Sequence, residues 1–271
     1  MSIDLDGYFK RIGYDGPRQP TLAVLRELHR LQPQVIAFEN LDPLLKRPVK
    51  LDAAALDAKL VKGGRGGYCF EQNLLFGHVL RALGFKVQEA TARVRWSVPP
   101  GVHTPRVHAL LIVEAEGESY LVDVGFGGNV ATSPLVLKSR DEQTTPHEPF
   151  RLVEEGHRLV VEAKIAGEWT SLYATDLAES IPADFEMGNW FTSAHPESIF
   201  VNGLLAARAE PDRRYALFNN ALSTHKLKGG TEKRKLNARE LRDALGDLFK
   251  IRLEGLDGLD TALARLAANG S

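Results

Sequence analysis

A single cysteine, Cys69, stands in the 271 residues, and it directly follows the run 63-GGRGGY-68. Four glycines fall within five positions there. Beyond it, Phe70, Leu74, Leu75, Val79, Leu80 and Leu83 recur at helical spacing, which predicts a helix that opens at Cys69 and stops at Gly84. A helix N-terminus turns unsatisfied N–H groups and positive partial charge toward a thiol there and favours the nucleophilic thiolate. The glycines allow a sharp backbone turn and close approach of a substrate. The N–H groups of Cys69 and Phe70 can stabilise an oxyanion. An isolated cysteine is more commonly a small buried hydrophobe, but the glycine run and the helix start weigh against that reading.

A cysteine nucleophile needs a base, and the chain has eight histidines. His78 lies nine residues along the predicted helix and faces nearly the opposite side. His103 sits in the Pro/Gly-rich loop 97-SVPPGVHTPR-106, is expected to be solvated, and ranks second. His108 lies in the apolar segment 107-VHALLIV-113, and Asp123 in the equally apolar 119-SYLVDVGF-126. Both groups demand partners if buried. A hairpin through Glu116-Gly117 sets position 108 opposite 125 and makes His108 and Asp123 diagonal neighbours on one face. Such a pair either orients a base or braces the sheet, and the pattern alone fits both.

The elements that must position these groups fall into three stretches. Residues 1–84 read as helical: 22–31, started by Thr21 and ended by Pro33; 52–61, started by Asp52 and ended by Gly63-Gly64; and 69–83. From residue 85 the period alternates, predicting strands at 86–96, 107–113, 119–126, 149–153, 158–165 and 168–173 that form a small antiparallel barrel or sandwich. After about residue 185 the character is mixed. Strands are expected at 199–208 and 214–227, with a charged turn KGGTEKRK, then helices at 238–249 and 257–268. Asn237 and Glu240 make a capping-box pattern.

Composition narrows the class. With 44% apolar and 25% charged residues the chain reads as globular. Its net charge of −1 provides no general field for nucleic acid or anionic membrane. No apolar run approaches the roughly 20 residues of a membrane span. Asp4 and Asp6 occupy the place where a secretory leader carries Lys or Arg. A cytoplasmic protein is expected, with oligomeric state open. No metal is expected, because no Cys/His cluster has ligand spacing, and GGRGGY lacks the Lys-Ser/Thr of a P-loop.

Taken together, 36-IAFENL-41, 65-RGGYCFEQN-73, 93-RVRW-96, His108 in its strand and 122-VDVGFGG-128 resemble the arylamine N-acetyltransferases over essentially the whole chain. The resemblance implies an α+β fold similar to papain-like and transglutaminase-like cysteine enzymes. It has an N-terminal helical bundle (1–84), a central antiparallel β-barrel (85–188) and a C-terminal α/β lid (189–271). It implies a Cys69–His108–Asp123 triad, the residues ranked first above. Acetyl-CoA would acylate Cys69, and an arylamine, arylhydrazine or N-hydroxyarylamine would then take the acetyl group in a ping-pong sequence. Phe38, Val94, Phe126 and Phe200 are implied at the acceptor, and Trp96, Gly125, Gly127 and Gly128 at acetyl-CoA, with Trp96 fitting the acceptor pocket equally. Ala37 replaces a frequent family Pro, and Val107 the usual Ser or Thr before the histidine. Glu39 and Asn40 are read as structural, and Arg65 with Glu71 as a bracing ion pair.

Three other readings use the same residues. A thiol hydrolase would drain the acyl-enzyme to water, and an amide synthase would close a ring without CoA. A non-enzymatic binding module would use the His–Asp pair only as a brace.

Overall fold

The computed structural model describes residues 3–99 and 101–269. Met1 and Ser2, which begin the segment read as lacking a leader, and Pro100, in the loop of His103, lie outside the described residues. The chain opens with helices α1 (Leu5–Ile12) and α2 (Leu22–Val35). A two-residue strand β1 (Phe38–Glu39) and a short helix α3 (Leu41–Leu44) follow. Helix α4 (Ala53–Leu56) continues as a π-helical stretch (Asp57–Lys62), and then α5 (Cys69–Ala82) begins. Thr21 and Asp52 cap α2 and α4 as expected. Helix α1 carries no sequence expectation, although Asp4 caps it through the Gly7 N–H. Pro33 does not end α2. The last turn runs through it to Val35, held by tertiary bonds that offset the missing N–H: Tyr8 Oη donates to Gln32 Oε1 at 2.7 Å, and Gln32 Nε2 donates to Gln72 Oε1 at 2.9 Å.

Strands β2 (Lys86–Val94), β3 (Arg106–Ala115) and β4 (Glu118–Val122) form the next unit. With β5 (Leu135–Val136), β6 (Phe150–Glu155), β7 (Arg158–Ile165) and β8 (Glu168–Thr175) they make a seven-stranded antiparallel sheet ordered β5-β4-β3-β2-β8-β7-β6. Gln143 joins its two edges. Its backbone pairs with Phe150 of β6, while its side-chain amide bonds both main-chain groups of Val136 in β5, so one side chain substitutes for a strand across the gap. The expected barrel is therefore present and nearly closed.

Helix α6 (Pro182–Ala194) and the short α7 (Ile199–Asn202) lead to β9 (Leu205–Glu210), β10 (Arg213–Phe218), β11 (Ala221–Lys226) and β12 (Thr231–Lys235). Helices α8 (Ala238–Asp247) and α9 (Leu259–Asn269) close the chain, with the Asn237–Glu240 capping box in place. A five-stranded sheet runs β1-β9-β10-β11-β12. Three local expectations are corrected here. Residues 199–202 are helical, capped by Ser198, and the strand starts only at Leu205. The segment 214–227 is a hairpin of two strands turning at Asn219, which takes φ 52°, a conformation asparagine tolerates. Five of the eight residues of KGGTEKRK form the exposed edge strand β12, whose charged side chains protect an unpaired edge.

The core has three parts. One packs α1, α2 and α5 against Ala109, Leu111 and Val113 of β3. A second fills the barrel, and a third lies between the five-stranded sheet, α3 and the C-terminal helices. Because β1 pairs with β9, and α6 runs through residue 188, the helical, barrel and C-terminal stretches interlock.

Candidate active site

Cys69 is the first residue of α5 and is 5% exposed. The glycines before it are there for reasons of internal packing. Position 66 lies so close to the Ala37 carbonyl that any Cβ would collide with it, and a Cβ at 67 would meet Glu71 Oε2 at 2.7 Å. Gly67 accepts from the Glu39 N–H at 3.1 Å and bridges to Phe38, which docks the loop on β1. At 66 and 67 the glycines let the nucleophile loop lie against its neighbours, and Gly64, at φ 65°, supplies the expected sharp turn.

The loop is braced by buried charges, but differently from the expected Arg65–Glu71 pair. Arg65 reaches Glu39 at 2.7 Å and Asp42 at 3.3 Å, while Lys59 bridges Asp42 at 2.5 Å and Glu71 at 2.6 Å. Glu71 also accepts from the Tyr68 N–H at 3.1 Å. Burial raises Glu71 to about 7 although Lys59 opposes this, as expected where three carboxylates share two cations. Asn40 ties the same region to the C-terminal part, donating to Phe200 O and Gly203 O and accepting from the Leu205 N–H, each at 2.7 Å. Glu39 and Asn40 are thus structural, as read.

The β3–β4 hairpin has the expected register. Ala115 faces Glu118 across a turn whose two residues, Glu116 and Gly117, both have positive φ, and Leu111 faces Val122. Pairing stops at Val122, so the expected partnership of 108 with 125 does not form. Asp123 leaves the sheet because its own groups are satisfied elsewhere. Oδ1 accepts from Asn73 Nδ2 and from the Gly125 N–H, both at 2.9 Å, and the Asp123 N–H donates to His29 Nε2 at 3.3 Å. His108 is on the barrel side of β3, and its Nε2 meets Asp123 Oδ2 at 2.7 Å. The ring lies edge-on to Phe126 and tilted on Tyr173, at centroid distances of 5.0 and 4.7 Å. Burial, with the Asp123 carboxylate nearby, pushes the Tyr173 hydroxyl well up.

With Nε2 engaged by Asp123, Nδ1 of His108 is left free, and Cys69 lies near enough for its sulfur to favour the charged ring. Burial works against imidazolium, but the Asp123 charge and hydrogen bond, and the sulfur, outweigh it and push His108 up to about 10. Asp123 is held below its ordinary value, because His108, Asn73 and the Gly125 N–H overcome its burial. A β-bulge completes the arrangement. Ala92 pairs with His108 and Arg93 with Arg106, so Val107 has no partner across the β2–β3 ladder. Its carbonyl is free to accept from Cys69 Sγ at 3.5 Å. This contact is main-chain, so a valine can supply it. Val107 also lines a cleft of about 970 Å³ bounded by Arg93 and by Gly188, Trp190 and Phe191 of α6.

The structure brings Cys69, His108, Asp123, Gly125 and Phe126 together. A Cβ on Gly125 would stand 2.9 Å from Cys69 Cα. Phe38 and Phe200 make a ring pair at 6.1 Å, Phe200 also packs on Tyr68, and Gly127 lies against Phe38. Val94 pairs with Tyr173 and so reaches the triad at one remove. Trp96 lies beyond the end of β2, 38% exposed, its N–H bonded to Leu172 O. Gly128 faces Ala216 of β10. His103 is exposed, and His78 lies further along α5. Sequence reasoning missed Asn73, Tyr173 and His29. Only Asn73 left a signal, as an amide one turn beyond Cys69 in the predicted helix, and the structure buries it fully.

Among the described residues, no helix is long and apolar enough to cross a membrane, and no group of three or more His, Cys, Asp or Glu is placed to hold a metal. The model of a family described as N-acetyltransferase matches residues 21–257. The arylamine N-acetyltransferase of Mycobacterium tuberculosis is 42% identical over 99% of this chain and 97% of its own length. A Salmonella typhimurium protein named arylamine N-acetyltransferase / N-hydroxyarylamine O-acetyltransferase is 42% identical over 78% of this chain and 75% of its own. The solved Mycobacterium marinum arylamine N-acetyltransferase in complex with CoA superposes with a TM-score of 0.94 at 43% identity, covering 98% of this chain and 99% of that one. A lone cysteine at a helix start, a histidine and aspartate meeting it from the barrel, and full-length similarity in sequence and fold agree: the chain belongs to the arylamine N-acetyltransferase family.

Proposed function

We propose that this protein moves an acetyl group from acetyl-CoA to the nitrogen of arylamines and arylhydrazines, or to N-hydroxyarylamines, by a ping-pong mechanism through acetyl-Cys69, in the cytoplasm. The observation that carries it is the buried grouping of Asp123, His108 and Cys69, in which Asp123 engages Nε2 and leaves Nδ1 of the imidazole free to serve the nearby sulfur. The CoA complex of the M. marinum relative supports the donor.

In the first half-reaction the Cys69 thiolate attacks the thioester carbonyl. The N–H groups of Cys69 and Phe70, in the first turn of α5 where no preceding helical carbonyl takes them, receive the developing oxyanion. The carbonyl–sulfur bond of the donor breaks, and CoA leaves with the proton held on His108. In the second, the lone pair of the amine attacks acetyl-Cys69, the carbon–sulfur bond breaks, and His108 takes the amine proton as the amide departs. Asp123 orients His108 and stabilises its charge. Phe38, Phe126 and Phe200 would form the flat apolar wall for the acceptor, with Val94 beside them. Gly125, Gly127, Gly128 and Trp96 would lie toward acetyl-CoA. In this reading residues 1–84 supply the nucleophile, 85–188 the His and Asp, and 189–271 a lid.

Intact-protein mass spectrometry after mixing with acetyl-CoA tests this. The wild type is expected to gain one acetyl group and to lose it on addition of an arylamine, while Cys69→Ala gains none. No adduct under rapid quench, or an adduct that water drains as fast as the amine does, would overturn it.

A further inference from the structure

The loop that leaves β4 has two ends held by different machinery. Its near end, residues 123–125, belongs to the triad, since Asp123 Oδ1 holds the Gly125 N–H and Gly125 packs on Cys69. Its far end is held from behind by Arg214 of β10, which is 2% exposed. Arg214 Nη2 donates to Val130 O at 2.9 Å and Nη1 to Gly128 O at 3.4 Å, while Nε donates to Glu148 Oε2 at 2.8 Å. Glu148 precedes β6, so the guanidinium ties the barrel, the loop and the five-stranded sheet at one point. The carbonyls of Gly128 and Val130 face Arg214. Because the peptide group is planar and trans, the N–H of Asn129 points to the opposite side. Between the two ends, Phe126 lies on His108 and Gly127 on Phe38.

We propose that Arg214 is a positioning residue for acyl transfer, setting the far end of the 123–130 loop independently of the triad. The near end faces the reacting atoms. The far end therefore meets only the part of a donor that extends beyond its acetyl group. Loosening it weakens the binding of a large donor and spares the chemistry of a small one. This inference rests on acetyl-CoA being the donor, and it adds a residue to which neither the triad nor the aromatic wall points.

The test compares acetyl-CoA with p-nitrophenyl acetate, a small ester that can acetylate Cys69 without CoA, using the same arylamine. The variants are Arg214→Lys, which keeps the charge but cannot span three acceptors, and Glu148→Gln, which frees the guanidinium without removing it. Melting temperature and Cys69 alkylation by iodoacetamide report the fold and the thiol. The expected result is a KM for acetyl-CoA raised about tenfold or more, with kcat, p-nitrophenyl acetate turnover and alkylation within about twofold in at least one folded variant. Equal losses with both donors, unchanged KM for acetyl-CoA, or loss of folding in both variants would assign Arg214 a purely structural role and overturn the proposal. A wild type that turns over p-nitrophenyl acetate but is not acetylated by acetyl-CoA would instead overturn the donor assignment on which the proposal rests.

Discussion

Replacing Asp123 by asparagine changes one atom and should stall the nucleophile through a tautomer. The carboxylate is 1% exposed, and both oxygens are surrounded by donors: Oδ1 by Asn73 Nδ2 and the Gly125 N–H, Oδ2 by His108 Nε2. An amide NH2 placed at Oδ1 would face two N–H groups, so it must occupy the Oδ2 position and point at His108. There it can only donate. Nε2 then has to accept, and the single proton of the neutral ring moves to Nδ1, the nitrogen otherwise free to serve Cys69. A ring protonated there cannot take the thiol proton, and the charge that pushes His108 to about 10 is gone. The loss expected for a wrongly tautomerised triad is on the order of 10³–10⁴ in rate, or about 4–5.5 kcal/mol of barrier. Asn73 and Gly125 keep their acceptor, so the fold should survive. Rapid-quench mass spectrometry of Cys69 acetylation, with a thermal melt on the same sample, measures both. A folded Asp123→Asn protein that acetylates within tenfold of wild type would refute the reasoning.

Two other perturbations follow from the same shell. In Gly125→Ala the new Cβ stands 2.7 Å from Asn73 Nδ2 and 2.9 Å from Cys69 Cα. Such overpacking costs about 1–3 kcal/mol and should displace the nucleophile, so urea unfolding and acetylation rate should fall together; an unchanged pair of values speaks against close contact. His29, fully buried, is pushed down by burial to about 4 from 6.5 despite the nearby Asp123. Its folded value lies below its unfolded one, so its stabilising contribution is complete above about pH 6.5 and is lost as pH falls toward 4, at most about 3.5 kcal/mol at about 1.4 per unit. His29→Gln, which can still accept the Asp123 N–H, should lose less stability than wild type between pH 7 and 5 in urea unfolding; equal acid sensitivity would count against the assignment.

Much of the site could be read before folding because it rests on short-range rules. A cysteine at the first position of an apolar-periodic helix, and a two-residue turn at Glu116-Gly117 that sets the hairpin register, depend on neighbouring residues alone. The alternation that puts His108 on the barrel face of β3 is equally local. Pairing of β3 with β4 was legible for the same reason, whereas its end at Val122 was not, because that depends on Asn73 and Gly125 drawing Asp123 out of the ladder. The bulge at Val107 is likewise invisible in a strand pattern. It is this feature that frees the carbonyl meeting Cys69.

The residue types and spacing of this chain determined its helical, barrel and mixed stretches, its candidate nucleophile and the histidine and aspartate that could serve it. Tertiary structure alone decided where the buried charges pair. Arg65, Lys59, Glu39, Asp42 and Glu71 come from four separate segments, and in a low-dielectric interior each charge takes whichever opposite charge packing brings within reach. The same holds for His29 behind Asp123 and for Arg214 behind the glycine loop, whose partners lie 94 and 84–86 residues away along the chain. No local periodicity encodes contacts of that separation. They form only once helix, barrel and sheet have enclosed the same volume.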